Sequence, residues 1–183
     1  MNKLARALAV MGAFALTVPA VPAHATESYE ARVTASAASR AAVADMVETF
    51  GTDRLKPGKY LWRDDLNSIA GDERVVVSLE NQLAFLYKGN TLVAVSSVSS
   101  GKPGRDSPAG IFQILTKKPM HRSKKYENAP MPFAQFFTDY GVAFHAGAIP
   151  GHPASHGCIR LPSAFAKKLY SVTDVGTPVL IGA

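Results

Sequence analysis

One cysteine, Cys158, and one tryptophan occur in 183 residues. No intramolecular disulfide can form, and no multi-cysteine zinc framework is available. Long apolar runs are also missing. The longest, Ala7 to Val18, has 12 residues, short of the about 20 that a helix needs to span a bilayer. Acidic residues are outnumbered 14 to 20 by Lys and Arg, yet no basic run resembles a nucleic-acid footprint. Internal repeats are absent as well.

What is present begins with a targeting pattern. Lys3 and Arg6 precede the apolar run, and Ala23-His24-Ala25 follows it as a small-x-small cleavage site. Residues 1–25 are therefore expected to be a secretory signal, with the mature chain starting at Thr26. No cysteine follows the apolar run to carry a lipoprotein anchor. Removing Lys3 and Arg6 lowers the formal charge from +6 by two, to +4. A mildly basic exported chain suits an anionic wall polymer or membrane surface, or simply carries a solvated surface. With no sorting tail, the expected location is the periplasm.

Residues 26–54 form an alanine-rich stretch in which Ala38, Ala41, Ala42, Met46 and Phe50 recur at mostly helical spacings. A linker and a docked helix are both compatible with so thin an apolar face. From Leu55 onward the chain reads as one mainly β domain, 55–183. Strands are expected at 74–79, 83–88, 91–99, 111–117, 141–147 and 177–182, punctuated by Gly, Pro, Asn and Asp. Residues 118–132 read as a long connection. Pro162 and Ser163 begin a short helix with Phe165 and Leu169 facing inward. The expected architecture is a β-sandwich or partly open barrel with one or two short helices, preceded by the N-terminal helical segment. The aromatic stretch "MPFAQFF" (131–137) fits a core strand or the wall of a groove equally well.

Cys158 lies in "PASHGCIRLP" (153–162) and has three readings: a buried apolar residue, a metal ligand or a nucleophile. An unpaired cysteine in an exported chain favours a reactive thiol. His145, His152 and His156 precede it by 13, 6 and 2 residues. The spacing H-x6-H-x3-H-x-C argues against zinc, whose paired ligands are usually separated by two or more residues. Histidine is the usual agent that deprotonates a nucleophilic thiol. Gly157 allows a sharp turn, so that the amides of Gly157 and Cys158 can converge on an oxyanion. Arg160 supplies a fixed charge for a substrate carboxylate and for the thiolate.

The stretch "FHAGAIPGHPASHGCIRLP" (144–162) closely resembles the signature of the L,D-transpeptidase catalytic domain, the YkuD-type family of bacterial wall enzymes. In that pattern a histidine and a variable loop precede Ser-His-Gly-Cys, an apolar residue, and Arg or Asn. "SSGKPGRDSPAGIFQI" (99–114) and "VVVSLENQLAFLYKGN" (75–90) resemble its glycine-rich segment and opening hairpin. The resemblance covers roughly residues 55–181.

It implies Cys158 as nucleophile, His145 as base, the Ala146 carbonyl as orienter of the imidazole, and the Gly157 amide in the nucleophile turn. Arg160, His156, Ser155, Met131 and Phe133 are then expected at the substrate groove, with Ser155 supporting the loop. The implied substrate is a peptidoglycan stem tetrapeptide. The thiolate attacks the carbonyl before the terminal D-alanine, and the thioester passes to an acceptor amine, forming a cross-link. Passing it to water instead gives an L,D-carboxypeptidase, and cleavage of existing cross-links uses the same thioester. An inactive wall-binding module is disfavoured, since the reactive residues are present. The acceptor is left open among a second stem peptide, a protein and an outer-membrane lipoprotein. No cofactor and no metal are expected. Two departures stand out: "HAG" replaces a common His-Gly-Thr, and Phe133 stands where many relatives carry tyrosine. The missing hydroxyl leaves its role to Tyr140, to another group or to backbone amides alone.

Overall fold

The computed structural model describes residues 26–183; the expected signal, 1–25, lies outside the described residues. In chain order the elements are α1 (Tyr29–Phe50), β1 (Tyr60–Trp62), β2 (Glu73–Ser78), β3 (Leu83–Lys88), β4 (Thr91–Ser97), β5 (Gly110–Gln113), β6 (Thr116–Arg122), β7 (Pro130–Phe136), β8 (Ala143–Ala146), β9 (Ile159–Leu161), α2 (Ser163–Val172) and β10 (Pro178–Gly182). A six-stranded sheet has the order β1-β4-β3-β2-β10-β5, and a four-stranded sheet the order β6-β7-β8-β9. The fold is mainly β, built of two sheets and two helices without barrel closure.

The larger sheet is covered on both faces, which explains its continuous apolar strands. Along β2, Val75 and Val77 enter the core between the sheets, while Val76 faces α1; along β3, Ala84 and Leu86 take the first side, and Leu83, Phe85 and Tyr87 the second. Alternation of period two sorts one hydrophobic run into two cores. The helix α1 closes the second core with Ala42 and Met46, so residues 29–50 are a helix packed on the sheet. Ser28 caps its start by accepting from the Ala31 amide at 3.2 Å, and Gly51 ends it at φ +69°, a left-handed cap that favours glycine. Asp45 adds a polar tie, accepting from the Tyr87 hydroxyl at 2.5 Å.

The smaller sheet departs from the sequence-based expectation. Residues 118–132 are not a plain connection: β6 and β7 pair antiparallel from Thr116↔Phe136 to Arg122↔Pro130. The composition of β6, "TKKPMHR", hides it, because an edge strand with solvent on its side needs no apolar alternation and tolerates proline. The expected strand 111–117 divides accordingly, β5 ending at Gln113 and β6 starting at Thr116. The ladder passes over Pro119 and Phe133, and Phe133 has φ +57°. Its ring packs against Tyr170 of α2, centroids 6.0 Å apart, on the side of the main core. Lys117 ties α2 down by donating to the carbonyls of Tyr170, at 2.8 Å, and Thr173.

Met46 is fully buried, whereas the neighbouring Val47 is 48% exposed. Met46→Ala should cost about 2–5 kcal/mol through the cavity it leaves, and Val47→Ala within about 0.5 kcal/mol, both read by urea unfolding. Equal small effects would show that α1 does not share the sheet's core.

Candidate active site

Strand register builds the site. β8 and β9 are parallel, with Phe144↔Ile159, His145↔Arg160 and Ala146↔Leu161 as partners. Phe144, Ala146, Ile159 and Leu161 all enter the main core. Period two therefore turns His145, Arg160 and, two residues before it, Cys158 to the opposite face. There they border one cleft of about 440 Å³, together with Met131 and Phe136 of β7 and the tip of the β6–β7 hairpin. Thirteen residues of sequence separation become adjacent strands about 4.8 Å apart.

The turn carrying the cysteine is held by the serine-rich segment after β4. Ser99 and Arg160 exchange two backbone hydrogen bonds, of 3.1 and 3.0 Å, and the Ala154 and Ser155 amides both donate to the Ser100 carbonyl at 3.0 Å. The Ser107 hydroxyl accepts from the Gly101 amide at 2.9 Å and donates to the Gly157 carbonyl at 2.7 Å. Gly101 admits no side chain, since a Cβ there would meet the Arg105 carbonyl at 2.1 Å. Gly157 sits at φ +114°, a conformation that requires glycine. Ser155, buried, donates to the Cys158 carbonyl and accepts from the Gly157 amide at 3.1 Å. The Gly157 amide is thus engaged within the turn by the Ser155 hydroxyl. The Cys158 amide has no hydrogen-bond partner among the described residues and is the donor left at the nucleophile.

His145 is 8% exposed, and its Nδ1 lies 2.8 Å from the Ala146 carbonyl oxygen. A carbonyl only accepts, so Nδ1 carries the proton and Nε2 presents a lone pair. Burial pushes the imidazole below its ordinary range; the Ala146 carbonyl opposes this and the Arg160 charge adds to it. Burial pushes the Cys158 thiol up, opposed by the Ala143 backbone amide and by Arg160. The thiol and the imidazole that border this cleft are accordingly both neutral at rest, and the imidazole keeps a free lone pair. Cys158 Sγ also lies 4.0 Å from the Gly141 carbonyl oxygen, a weak contact.

The cleft gathers Cys158, His145, Gly157, Arg160, His156, Ser155 and Met131. Phe133 is not among its walls, because its ring turns to α2; Phe136 is the aromatic residue of β7 that reaches the cleft. His156 is exposed and stacks on Tyr126 of the hairpin tip at 4.5 Å. His152 is exposed too, and its Nδ1 contacts the Pro153 carbonyl at 3.1 Å. No group of three or more metal-ligating side chains occurs among the described residues. Sequence reasoning overlooked Ser107, Tyr126 and the cations Arg105, Lys124 and Lys125, all of them in or beside loops. Tyr140, named from sequence only as a substitute hydroxyl, borders the cleft and donates to Glu27 Oε1 at 2.7 Å.

A thiol and a carbonyl-oriented imidazole that border one cleft, at a parallel strand pair of a two-sheet β fold, define the class as a cysteine–histidine site. The L,D-transpeptidase catalytic domain (YkuD) model matches residues 72–181, more than half of the chain, and the chain belongs to that family. Among solved structures, an L,D-transpeptidase from Stackebrandtia nassauensis is 27% identical, with TM-score 0.57 over 76% of this chain and 63% of its own. One from Xylanimonas cellulosilytica is also 27% identical, with TM-score 0.56 over 61% of each chain. L,D-transpeptidase 3 from Mycobacterium tuberculosis, solved with a faropenem-derived adduct, is 20% identical, with TM-score 0.57 over 61% of this chain and 60% of its own. The chain spans about six tenths of the length of these relatives. No curated protein sequence matches it.

Because Arg160 favours the thiolate and disfavours the imidazolium, Arg160→Gln should raise both the Cys158 and the His145 titrations. In the unmodified protein, iodoacetamide alkylation of Cys158 should rise with pH through a midpoint above that of a solvated thiol, about 8.5. Arg160→Gln should move that midpoint further up. A midpoint below the solvated value would contradict a neutral resting pair.

Proposed function

We propose that the protein is an exported cysteine L,D-transpeptidase that acts on peptidoglycan stem tetrapeptides. The observation that carries this is the pairing of His145 with Arg160 across β8 and β9, which brings an Nε2 lone pair to the open cleft that the Cys158 thiol borders. Nε2 takes the thiol proton, and the sulfur attacks the carbonyl carbon before the terminal D-alanine. The Cys158 amide faces the developing oxyanion. Collapse breaks the C–N bond, and the imidazolium returns its proton to the departing D-alanine amine. A thioester on Cys158 remains. An acceptor amine then attacks, His145 removes its proton, and the new amide forms as the thiolate leaves and regains that proton. Arg160 holds a stem carboxylate, a charge-assisted contact for which its guanidinium is suited.

Export rests on the residue pattern of 1–25, and the transpeptidase reading on the family to which residues 72–181 belong. Incubation with a defined tetrapeptide should add the tripeptide acyl mass to Cys158 and release D-alanine. Cys158→Ala should abolish the adduct, and His145→Ala should lower its rate by at least about 100-fold, the usual worth of a general base. Mass spectrometry of the intact protein reads both. Acylation persisting in Cys158→Ala would overturn the proposal.

A further inference from the structure

The cleft collects positive charge from three separate elements. Arg105 comes from the loop between β4 and β5, Lys124 and Lys125 from the tip of the β6–β7 hairpin, and Arg160 from β9. Asp106 is the single acidic residue that borders the same space; Glu127, further along the tip, does not. Among the described residues four other cations do have an ion pair: Arg54 with Asp53, Arg63 with Asp65, Lys88 with Glu73 and Lys117 with Asp174. None of the four cleft cations has a carboxylate within ion-pair distance among the described residues. Lys125 has only the ring of Tyr126, 5.7 Å away. The Tyr126–His156 stack holds the hairpin tip beside the nucleophile turn, so the two lysines and the two arginines border the same cleft. Unpaired cations with apolar walls between them focus a positive potential on whatever occupies the space.

We infer that this cleft selects stem peptides whose side carboxylates are free, and discriminates against the same peptides carrying primary amides at those positions. The inference rests on the reading of the site as a peptidoglycan transpeptidase and adds a chemical class to its donor. An amide is nearly isosteric with a carboxylate but brings no charge, and it offers an N–H where the cations need an acceptor. Losing one charge-assisted contact in a partly desolvated groove should weaken binding about tenfold.

Binding is measured apart from turnover, by calorimetry on the full mature chain carrying Cys158→Ser. The probes are a stem tetrapeptide with free side carboxylates and its side-chain amidated form, both keeping the terminal D-alanine carboxylate. The free acid should bind about tenfold more tightly at low salt, and the gap should narrow as salt screens the contacts. Lys124→Gln with Lys125→Gln should erase most of the gap, and Lys124→Arg with Lys125→Arg should restore it, with thermal unfolding confirming that each variant is folded. Equal affinities for the two peptides, or a gap indifferent to both salt and the double Gln variant, would overturn the inference. Acylation of the unmodified protein is scored separately: failure with both peptides would sink the transpeptidase reading while a binding difference still stood.

Discussion

The parallel pairing of β8 and β9 is the constraint on which the site depends. A one-residue slip would exchange the faces of every side chain on β9, sending Cys158 and Arg160 into the core and Ile159 into the cleft. The slip is prevented by what lies on the other face: Phe144, Ile159 and Leu161 are fully buried, and placing a charged Arg160 among them would be strongly unfavourable. The core thus specifies the active-site register. The serine-rich segment after β4 provides the second restraint, since Ser99, Ser100 and Ser107 bond the residues on either side of the cysteine.

Electrostatics follow from the same placement. The larger influence on both titrating groups is burial, which favours their neutral forms. Arg160, opposite His145 in the ladder, then acts on both partners with consistent sign, easing formation of the thiolate and resisting a resting imidazolium. Cys158 and His145 therefore both rest in their neutral forms. The nucleophile turn is held by its own hydrogen bonds, whereas the hairpin tip carries Lys124 and Lys125 at the cleft and meets the turn through the Tyr126–His156 stack.

Much of this was legible in the sequence, and the limits are physical. The strands β2, β3 and β10 announced themselves because apolar runs between Gly, Asn and Asp are locally sufficient evidence, and the His145, Cys158 and Arg160 set stood out through residue chemistry. What escaped was non-local or disguised. The edge strand β6 carries lysines and a proline because solvent, not a core, lies beside it. Phe133 and Phe136 look equivalent in "MPFAQFF", but the left-handed conformation at Phe133 and the position of α2 decide which ring reaches the cleft. The engagement of the Gly157 amide by Ser155 depends on a three-residue geometry that no spacing rule reveals. Nor does composition say whether Met46 buries itself; the apolar outer face of the larger sheet decides that, and α1 covers it.

The chemistry of the cleft turns on one protonation state: His145 rests neutral, with its proton on Nδ1 and its lone pair on Nε2. Nitrogen-15 NMR of the His145 ring in the uncomplexed protein near pH 7 tests it most directly. A protonated Nδ1 with an unprotonated Nε2 is the predicted result. A ring protonated on both nitrogens, or on Nε2 alone, would contradict it.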